Sequence, residues 1–316
     1  MMIKKGVVLC LLIAMLSLVF FGCGNTVKQN SVVKVMSYNL WGNLEIESIQ
    51  NTTDTVDVAP QNRIAGVCDM LNGESIDVVG LQEVNNGWYE LIKDALLDTY
   101  EHIDAVKKDG VGWMILYRKD KFELVDNGQF WLATDAPGTE TEDWGTNMAR
   151  TCIWALLKVK ETGDCFLFLN THLDTATELC RINQAEVVAD QIFELRQLFK
   201  TYYDIENCPT VLVGDMNSSS GTTPYNILTK DLKDSRTNST GKTLDNMFYS
   251  TSPGLNYVAE GSDYIANGFV IDHILVTDNV TVLNYDMIHT STNLCPYGAY
   301  LSDHNAVEAE ISFSNS

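Results

Sequence analysis

Short hydrophobic runs of strand length follow one another along most of the chain, and three longer stretches have helical spacing. Enrichment in β-branched and aromatic residues predicts strands at 32–39, 76–82, 100–106, 111–118, 121–132, 150–159, 164–171, 209–214, 270–277, 280–289 and 305–312. Helices are predicted at 61–72, 86–97 and 177–200. The last has an apolar stripe with a period of three to four residues, formed by Ile182, Ala185, Val188, Ala189, Ile192, Leu195 and Phe199.

Strands outnumber helices and do not alternate strictly with them, which favours an α+β fold or a mixed layered sandwich. Two sheets packed face to face, with the helices outside, would cover most of these strands. The residues after Val32 show no linker, repeat or low-complexity break, so we expect one domain at 32–316. The polar stretches 134–147 and 216–224 are predicted to be loops, and the first ends close enough to Arg150 to border a site.

The N-terminal residues have the pattern of a bacterial export signal. Two lysines precede an apolar run at 6–21, which is shorter than the roughly 18 residues of a spanning helix. The junction that follows, Gly22-Cys23, resembles a lipobox and predicts lipidation of Cys23. We therefore expect a signal peptide at 1–22, a tether at 23–31 and an extracytoplasmic protein anchored to the cell membrane by its lipid. An ordinary secretory signal or an uncleaved anchor is the alternative.

Charge and composition narrow the range of partners. The chain has 316 residues, 45% of them hydrophobic, as in a soluble globular protein. Its formal net charge of -21 repels phosphate backbones, which disfavours tight, sequence-independent binding of nucleic acid. A nuclease is still compatible with this charge, because a local basic strip or bound cations could serve it.

The cysteines leave two interpretations open. Removal of Cys10 with the signal and lipidation of Cys23 would leave six: Cys68, Cys152, Cys165, Cys180, Cys208 and Cys295. An exported protein could pair these residues in disulfides. Cys152 and Cys165 lie inside apolar strand-like runs, and no metal-type Cys-x-x-Cys spacing occurs, so buried free thiols are slightly favoured.

Polar motifs stand at the ends of several of the predicted strands. They are SYNL at 37–40, GLQE at 80–83, NTHLD at 170–174, GDMN at 214–217, IDH at 271–273 and SDH at 302–304. Strand ends of a packed sheet meet at one edge, so these side chains are expected to converge. Oxygen ligands with histidines suit Mg²⁺ or Mn²⁺ and phosphoryl transfer, whereas Zn²⁺ held by thiolates is disfavoured.

Each motif residue alone has an ordinary structural interpretation. Glu83 is a candidate metal ligand or a solvent-facing acid, and Asn39 binds a ligand or simply ends its strand. Asp215 and Asn217 follow the apolar run TVLVGD, and alternate spacing places both on one side if the strand continues.

Three of the five histidines lie in these motifs: His172, His273 and His304. His102 and His289 lie in ordinary strand-like contexts and receive no role. An imidazole oriented by a carboxylate is the expected general acid–base arrangement. Histidines in Asp-rich strand-end motifs therefore favour hydrolysis over a purely structural function.

In this order and spacing, the motif set resembles the endonuclease/exonuclease/phosphatase superfamily, from about Val32 to Val307. The resemblance implies a four-layer α/β/β/α sandwich and Mg²⁺-dependent hydrolysis of phosphate esters, with Mn²⁺ as a possible substitute. It also implies that Glu83 is a metal ligand, with Asn39 beside it in the metal and phosphate shell and Asp303 as a second carboxylate on the metal side.

The same resemblance implies the remaining roles in the site. Asp215 would orient the attacking water, and Asn217 would stabilise the phosphoryl oxygens. His304 would be the catalytic histidine, paired with Asp272, and His172 would lie near the leaving group. His273 is expected to support structure. Four further residues are candidates for contact with substrate phosphate: Arg63, Tyr117, Arg150 and Arg181.

The substrate stays open among three ester classes. An extracellular phosphodiesterase acting on lipids or small molecules is slightly favoured by the acidic charge and the expected tether. A secreted nuclease and a phosphomonoesterase acting on sugar or inositol phosphates are the alternatives. A solute-binding lipoprotein without catalytic activity would not explain why acids and histidines end strands together. We expect a monomer.

Overall fold

The computed structural model describes residues 29–42, 48–50, 55–105, 107–108, 110, 112–134, 138–241, 250–254, 269–293, 295–298 and 300–315. The predicted signal peptide, Cys23 and most of the tether lie outside these ranges and stay predictions. Within these ranges, no helix is both long and apolar enough to cross a bilayer.

Strands make up most of the regular structure. They are β1 (Ser31–Asn39), β2 (Ser48–Gln50), β3 (Thr55–Asp57), β4 (Val78–Gln82), β5 (Tyr100–Asp104), β6 (Trp113–Arg118), β7 (Phe122–Trp131), β8 (Thr151–Val159), β9 (Cys165–His172), β10 (Thr210–Asp215), β11 (Lys233–Asp234), β12 (Asp272–Val276), β13 (Thr281–Ile288) and β14 (Ala306–Phe313). The helices are α1 (Pro60–Gly73), α2 (Asn86–Leu96), α3 (Glu178–Tyr203), α4 (Thr223–Leu228) and α5 (Ser235–Asn238).

Two mixed sheets of six strands each form the body of the protein. The first has the order β13-β14-β1-β4-β6-β5, and the second has the order β11-β12-β10-β9-β8-β7. Strands β1 and β4 are parallel, and so are β9 and β10. Each parallel pair therefore brings two carboxyl ends to the same edge of its sheet.

The sheets pack face to face around an apolar layer that includes Val35, Ile115, Phe168 and Val213. Helices α1 and α2 cover the outer face of the first sheet, through residues such as Val67 and Trp88. The stripe of α3 covers the outer face of the second sheet. This is the four-layer α/β/β/α sandwich that the family resemblance implies.

Every strand and helix predicted from the sequence is present, with ends that differ by a few residues. The elements that pattern did not predict are β2, β3, β11, α4 and α5, which are too short to show a period. Helix α4 begins inside the predicted loop 216–224. The six cysteines that follow Cys23 are all free thiols, as favoured above, and all but Cys68 and Cys165 are buried.

A polar link joins the two sheets just behind their shared edge. Gln82 donates from Nε2 to Oδ1 of Asn170 at 2.7 Å, and Asn170 donates from Nδ2 to the Leu81 carbonyl at 2.8 Å. Gly80 lies where a side chain would collide with Asn170 and Val213 of the opposite sheet. The absence of a side chain there allows the sheets to approach closely, so the ends of β4 and β9 lie at one rim.

Candidate active site

A buried histidine–aspartate pair lies at this rim. The Nδ1 atom of His304 is 2.9 Å from Oδ2 of Asp272, and both side chains are buried. Asp272 begins β12 and is in register with Asp215 on β10. Ser302 fixes the segment before β14, because its hydroxyl donates to the Asn39 carbonyl and accepts from the His304 amide.

Asp215 is the centre of the cluster. Its Oδ2 atom is 3.7 Å from Nε2 of His304 and 3.4 Å from Nε2 of His172. Asn39 donates to the same oxygen at 3.2 Å. Burial and the neighbouring Asp272 carboxylate raise the pKa of Asp215 to about 7.

The two imidazoles of the site carry opposite pKa shifts. Burial disfavours the charged form of His304, but the carboxylates of Asp272, Asp215 and Asp303 together outweigh it and raise the pKa of His304 to about 10. Burial, with the positive charges of Arg150 and His304, holds the pKa of His172 well below its usual range. The site therefore pairs a cationic His304 with a neutral His172 around one carboxylate.

Glu83 and Asp303 form the part of the site that suits a metal ion. Glu83 has a left-handed backbone with a φ of 57°, and its carboxylate accepts from Asn39 Nδ2 at 3.0 Å and from the Gly42 amide at 2.9 Å. Burial, with Glu83 nearby, raises the pKa of Asp303 to about 6. The Oδ1 atom of Asp303 is buried and has no hydrogen-bond partner among the described residues. A hard divalent cation fits this donor set and would satisfy that oxygen.

A second group in the described part of the chain also has ligand atoms close together. Atoms of Asp215, Asp272 and His304 lie within 4.8 Å of one another. Asp272 and His304 already point these atoms at each other across a 2.9 Å hydrogen bond. These two atoms therefore satisfy each other, which distinguishes this group from Glu83 and Asp303.

The amide side chains of the site mainly position other groups. Asn39 uses both hydrogens of its Nδ2 on Glu83 and Asp215, and its Oδ1 accepts from the Trp41 amide. Asn217 donates from Nδ2 to the Leu173 carbonyl at 2.8 Å, and its backbone amide donates to Asp215 at 2.9 Å. Both residues hold Asp215 in place, and among the described residues the Leu173 carbonyl is the one acceptor for Nδ2 of Asn217.

Two of the four predicted phosphate contacts lie beside the rim. Arg150 immediately precedes β8 and donates from Nε to Oδ2 of Asp174 at 3.0 Å. Arg181 donates from Nη1 to the Asp174 carbonyl at 3.2 Å, from the first turn of α3. Arg150 thus lies at the site, whereas Arg181 supports the loop that carries Asp174.

The prediction for Arg63 is corrected by its surroundings. Its guanidinium lies between the rings of Trp41 and Trp88, with centroids 5.2 and 4.7 Å away. It donates to the carbonyls of Leu40, Trp41 and Leu301 and is 2% exposed. These bonds tie the segment after β1 to the segment before β14, so Arg63 stabilises the loops of the site and does not reach substrate.

The prediction for Tyr117 is corrected by strand direction. Strand β6 runs antiparallel to β4, so Trp113 is opposite Gln82 at the rim and Tyr117 is opposite Val78. The Tyr117 side chain is buried in the layer between the sheets. It cannot contact a phosphate bound at the rim.

His273 has the structural role expected for it. Its Nδ1 atom is 3.3 Å from Oδ2 of Asp234, and its Nε2 atom donates to the Ser218 carbonyl at 2.9 Å. Both ring nitrogens are occupied inside the protein. His102 pairs with Asp104 at 3.0 Å on β5, which is an edge strand of the first sheet.

Sequence reasoning missed two contributors to the site. Ser252 places its hydroxyl 3.3 Å from Nε2 of His304. Thr251 accepts the backbone amides of Ile271 and Asp272 at 2.9 and 3.0 Å and so fixes the start of β12. Serine and threonine are common in loops, and no pattern in the sequence separates these two from the rest.

Known proteins resemble this chain in sequence and in fold. The model of the endonuclease/exonuclease/phosphatase family matches residues 36–304. A family member of solved structure from Bacteroides thetaiotaomicron is 26% identical, with a TM-score of 0.69 over 91% of this chain and 97% of that chain. A mannosyl-6-phosphatase from Bacteroides thetaiotaomicron VPI-5482 is 26% identical, with a TM-score of 0.66 over 89% of this chain and 100% of that chain.

A more distant structure shows the same fold. TDP2 from D. rerio, solved with a single-strand DNA product, is 20% identical, with a TM-score of 0.64 over 89% of this chain and 99% of that chain. The comparison with curated proteins gives no match. Members of the matching family hydrolyse phosphate esters and generally use a divalent metal ion. Because the family model spans 36–304, this chain belongs to the endonuclease/exonuclease/phosphatase family.

Proposed function

We propose that the protein hydrolyses phosphate esters with Mg²⁺ or Mn²⁺, using His304 and Asp272 as an acid–base pair. The observation that carries this proposal is the buried 2.9 Å contact between His304 and Asp272, directed at Asp215. Only one nitrogen of His304 is held by Asp272, so Nε2 faces the rim where a substrate would bind.

The residues of the rim can complete one cycle of proton transfer. Asp215 takes a proton from the attacking water as the water oxygen bonds to phosphorus. The bond from phosphorus to the leaving oxygen breaks, and that oxygen receives the Nε2 proton of His304. Asp272 stabilises the imidazolium before this step and fixes its tautomer. Return of the proton from Asp215 to His304, across 3.7 Å, resets the site.

In this proposal the metal ion is bound by residues other than the acid–base pair. Glu83 and Asp303 would hold it, and when bound it supplies neutralisation of charge on the phosphoryl oxygens. Oxygen donors without a thiolate favour Mg²⁺ or Mn²⁺. The same residues serve monoesters and diesters, because the phosphorus and the leaving oxygen are common to both.

The sequence supports a location outside the cytoplasm. We propose a lipid anchor at Cys23, on the strength of the signal and lipobox pattern. Labelling of the full chain with radioactive palmitate, and loss of the label in Cys23→Ala, is the expected result. An unlabelled protein that is released into the medium would mean ordinary secretion.

A panel of esters tests the activity. It contains bis-p-nitrophenyl phosphate, supercoiled DNA, sphingomyelin, inositol phosphates and mannose 6-phosphate, each with Mg²⁺. The phosphodiesterase favoured by the sequence stays a prediction, and the mannosyl-6-phosphatase at 26% identity supports a phosphomonoesterase as the second candidate. Hydrolysis of one class that stops with EDTA and returns with Mg²⁺ or Mn²⁺ is expected. Full activity after exhaustive EDTA treatment would contradict the proposal.

A further inference from the structure

Arg150 is held in one direction by a fully buried acid. The arginine is 6% exposed and Asp174 is 0% exposed, with 3.0 Å between Nε and Oδ2. Asp174 is fixed in turn, because its Oδ1 accepts the backbone amides of Asn147 and Ala176 at 3.1 and 2.8 Å. Its own amide donates to Gln184 at 2.8 Å. The guanidinium is therefore oriented before any ligand arrives.

Arg150 lies beside the catalytic groups. In the second sheet β8, β9 and β10 are neighbours, so Arg150, His172 and Asp215 lie in a row along the rim. The charge of Arg150 adds to burial in lowering the pKa of His172, which agrees with this proximity.

The two terminal nitrogens of Arg150 have no internal use. Neither Nη atom donates to any residue that the structure describes, and neither is sealed from solvent. An arginine placed only to stabilise the fold would use these donors, as Arg63 does on three carbonyls. Two parallel N–H groups at the end of a fixed side chain match a pair of phosphate oxygens.

The charge at the rim determines whether a monoester or a diester gains more from contact with Arg150. Four carboxylates belong to the site: Glu83, Asp215, Asp272 and Asp303. The phosphoryl group of a monoester carries nearly two negative charges at neutral pH, whereas that of a diester carries one. The monoester therefore gains more from a fixed cation that offsets the carboxylates.

We propose that Arg150 binds the non-bridging oxygens of a terminal phosphoryl group and makes the site selective for phosphate monoesters over diesters. Asp174 is the positioning residue for this contact. The inference rests on the proposed hydrolysis of phosphate esters and names the substrate class of the same site.

The test compares two esters with one leaving group, p-nitrophenyl phosphate and bis-p-nitrophenyl phosphate, with Mg²⁺. The wild type is expected to have the higher kcat/KM on the monoester. Arg150→Lys keeps an ion pair with Asp174 but loses the two parallel N–H groups of the guanidinium. It should lower kcat/KM about 30-fold on the monoester and under about threefold on the diester. Arg150→Gln should widen that difference. Arg118→Gln is the matched control, because Arg118 also pairs with an aspartate, Asp120, but at the far end of β6.

Binding of inorganic phosphate, measured by calorimetry, separates this proposal from the proposed function. If the wild type hydrolyses neither ester with Mg²⁺ or Mn²⁺, the proposed function fails, while weaker phosphate binding in Arg150→Lys still supports the contact. A wild type that prefers the diester would overturn the proposal. Equal losses on both esters, or unchanged phosphate binding in Arg150→Lys, would do the same.

Discussion

Adjacent residues of β12, Asp272 and His273, belong to two different histidine–aspartate pairs. Successive side chains of a strand point to opposite faces. Asp272 pairs with His304 at the rim, and His273 pairs with Asp234 beneath the short helices α4 and α5. Both pairs are buried, and they use the same chemical groups.

The pairs differ in how completely their polar groups are hydrogen-bonded. His273 has both nitrogens occupied, and Asp234 also accepts from Tyr225 at 2.9 Å. At the rim, the contacts of His304 Nε2 are longer, 3.3 Å to the Ser252 hydroxyl and 3.7 Å to Asp215, and Oδ1 of Asp272 is buried without a partner among the described residues. The His273 pair is thus fully hydrogen-bonded inside the protein, whereas the His304 pair keeps a weakly bonded Nε2 at the rim.

The largest expected effect is on the rim pair. His304→Ala and Asp272→Asn should each lower kcat at least 100-fold, because both remove proton transfer to the leaving oxygen. The folded state should persist, since His304 lies at the edge of the core. Steady-state kinetics with circular dichroism checks this. His102→Ala is the control. A comparable loss of kcat in that variant would contradict the distinction between a catalytic and a structural histidine–aspartate pair.

A second prediction concerns the metal side of the rim. Glu83→Gln should raise the Mg²⁺ concentration needed for half-maximal activity more than tenfold, because one anionic ligand is lost. Calorimetric titration with Mn²⁺ should show the same weakening. Unchanged metal affinity in Glu83→Gln would show that Glu83 is not a metal ligand. Loss of folding in that variant would show that its role is structural.

A third prediction concerns the structural pair, His273 and Asp234. His273→Gln should lower the free energy of unfolding by about 3 kcal/mol, because Asp234 is left buried without its partner. Its kcat should change only slightly. Urea unfolding, with His102→Gln as a control expected to cost under about 1 kcal/mol, measures the difference.

The free energy of unfolding lost in His273→Gln should depend on pH in a definite direction. Burial opposes the charged form of His273, but Asp234 outweighs it and raises the pKa of His273, while the pKa of Asp234 is lowered. The histidine contribution is complete below its unfolded pKa of about 6.5 and is lost as pH rises through the folded pKa. The aspartate contribution is lost at acidic pH. The destabilisation should thus be larger at pH 6 than at pH 9, and the reverse order would contradict the assignment.

Much of the rim could be predicted from the sequence because strand ends mark it. Glu83, Asp215 and His304 follow or precede clear apolar runs, so their convergence needs only that the sheets share an edge. Tyr117 could not be placed, because the direction of β6 relative to β4 is not visible in its pattern. The prediction that Arg63 contacts phosphate was wrong, because the sequence of a helix does not show that its arginine faces two tryptophan rings.

The double substitution of each pair tests the central claim most directly. His304→Ala with Asp272→Asn should lower kcat little more than the worse single change, because the two residues act as one unit. His273→Gln with Asp234→Asn should leave kcat within about threefold while the protein stays folded. Multiplicative losses at the rim pair, or a loss of kcat at the buried pair as large as that at the rim, would contradict the account.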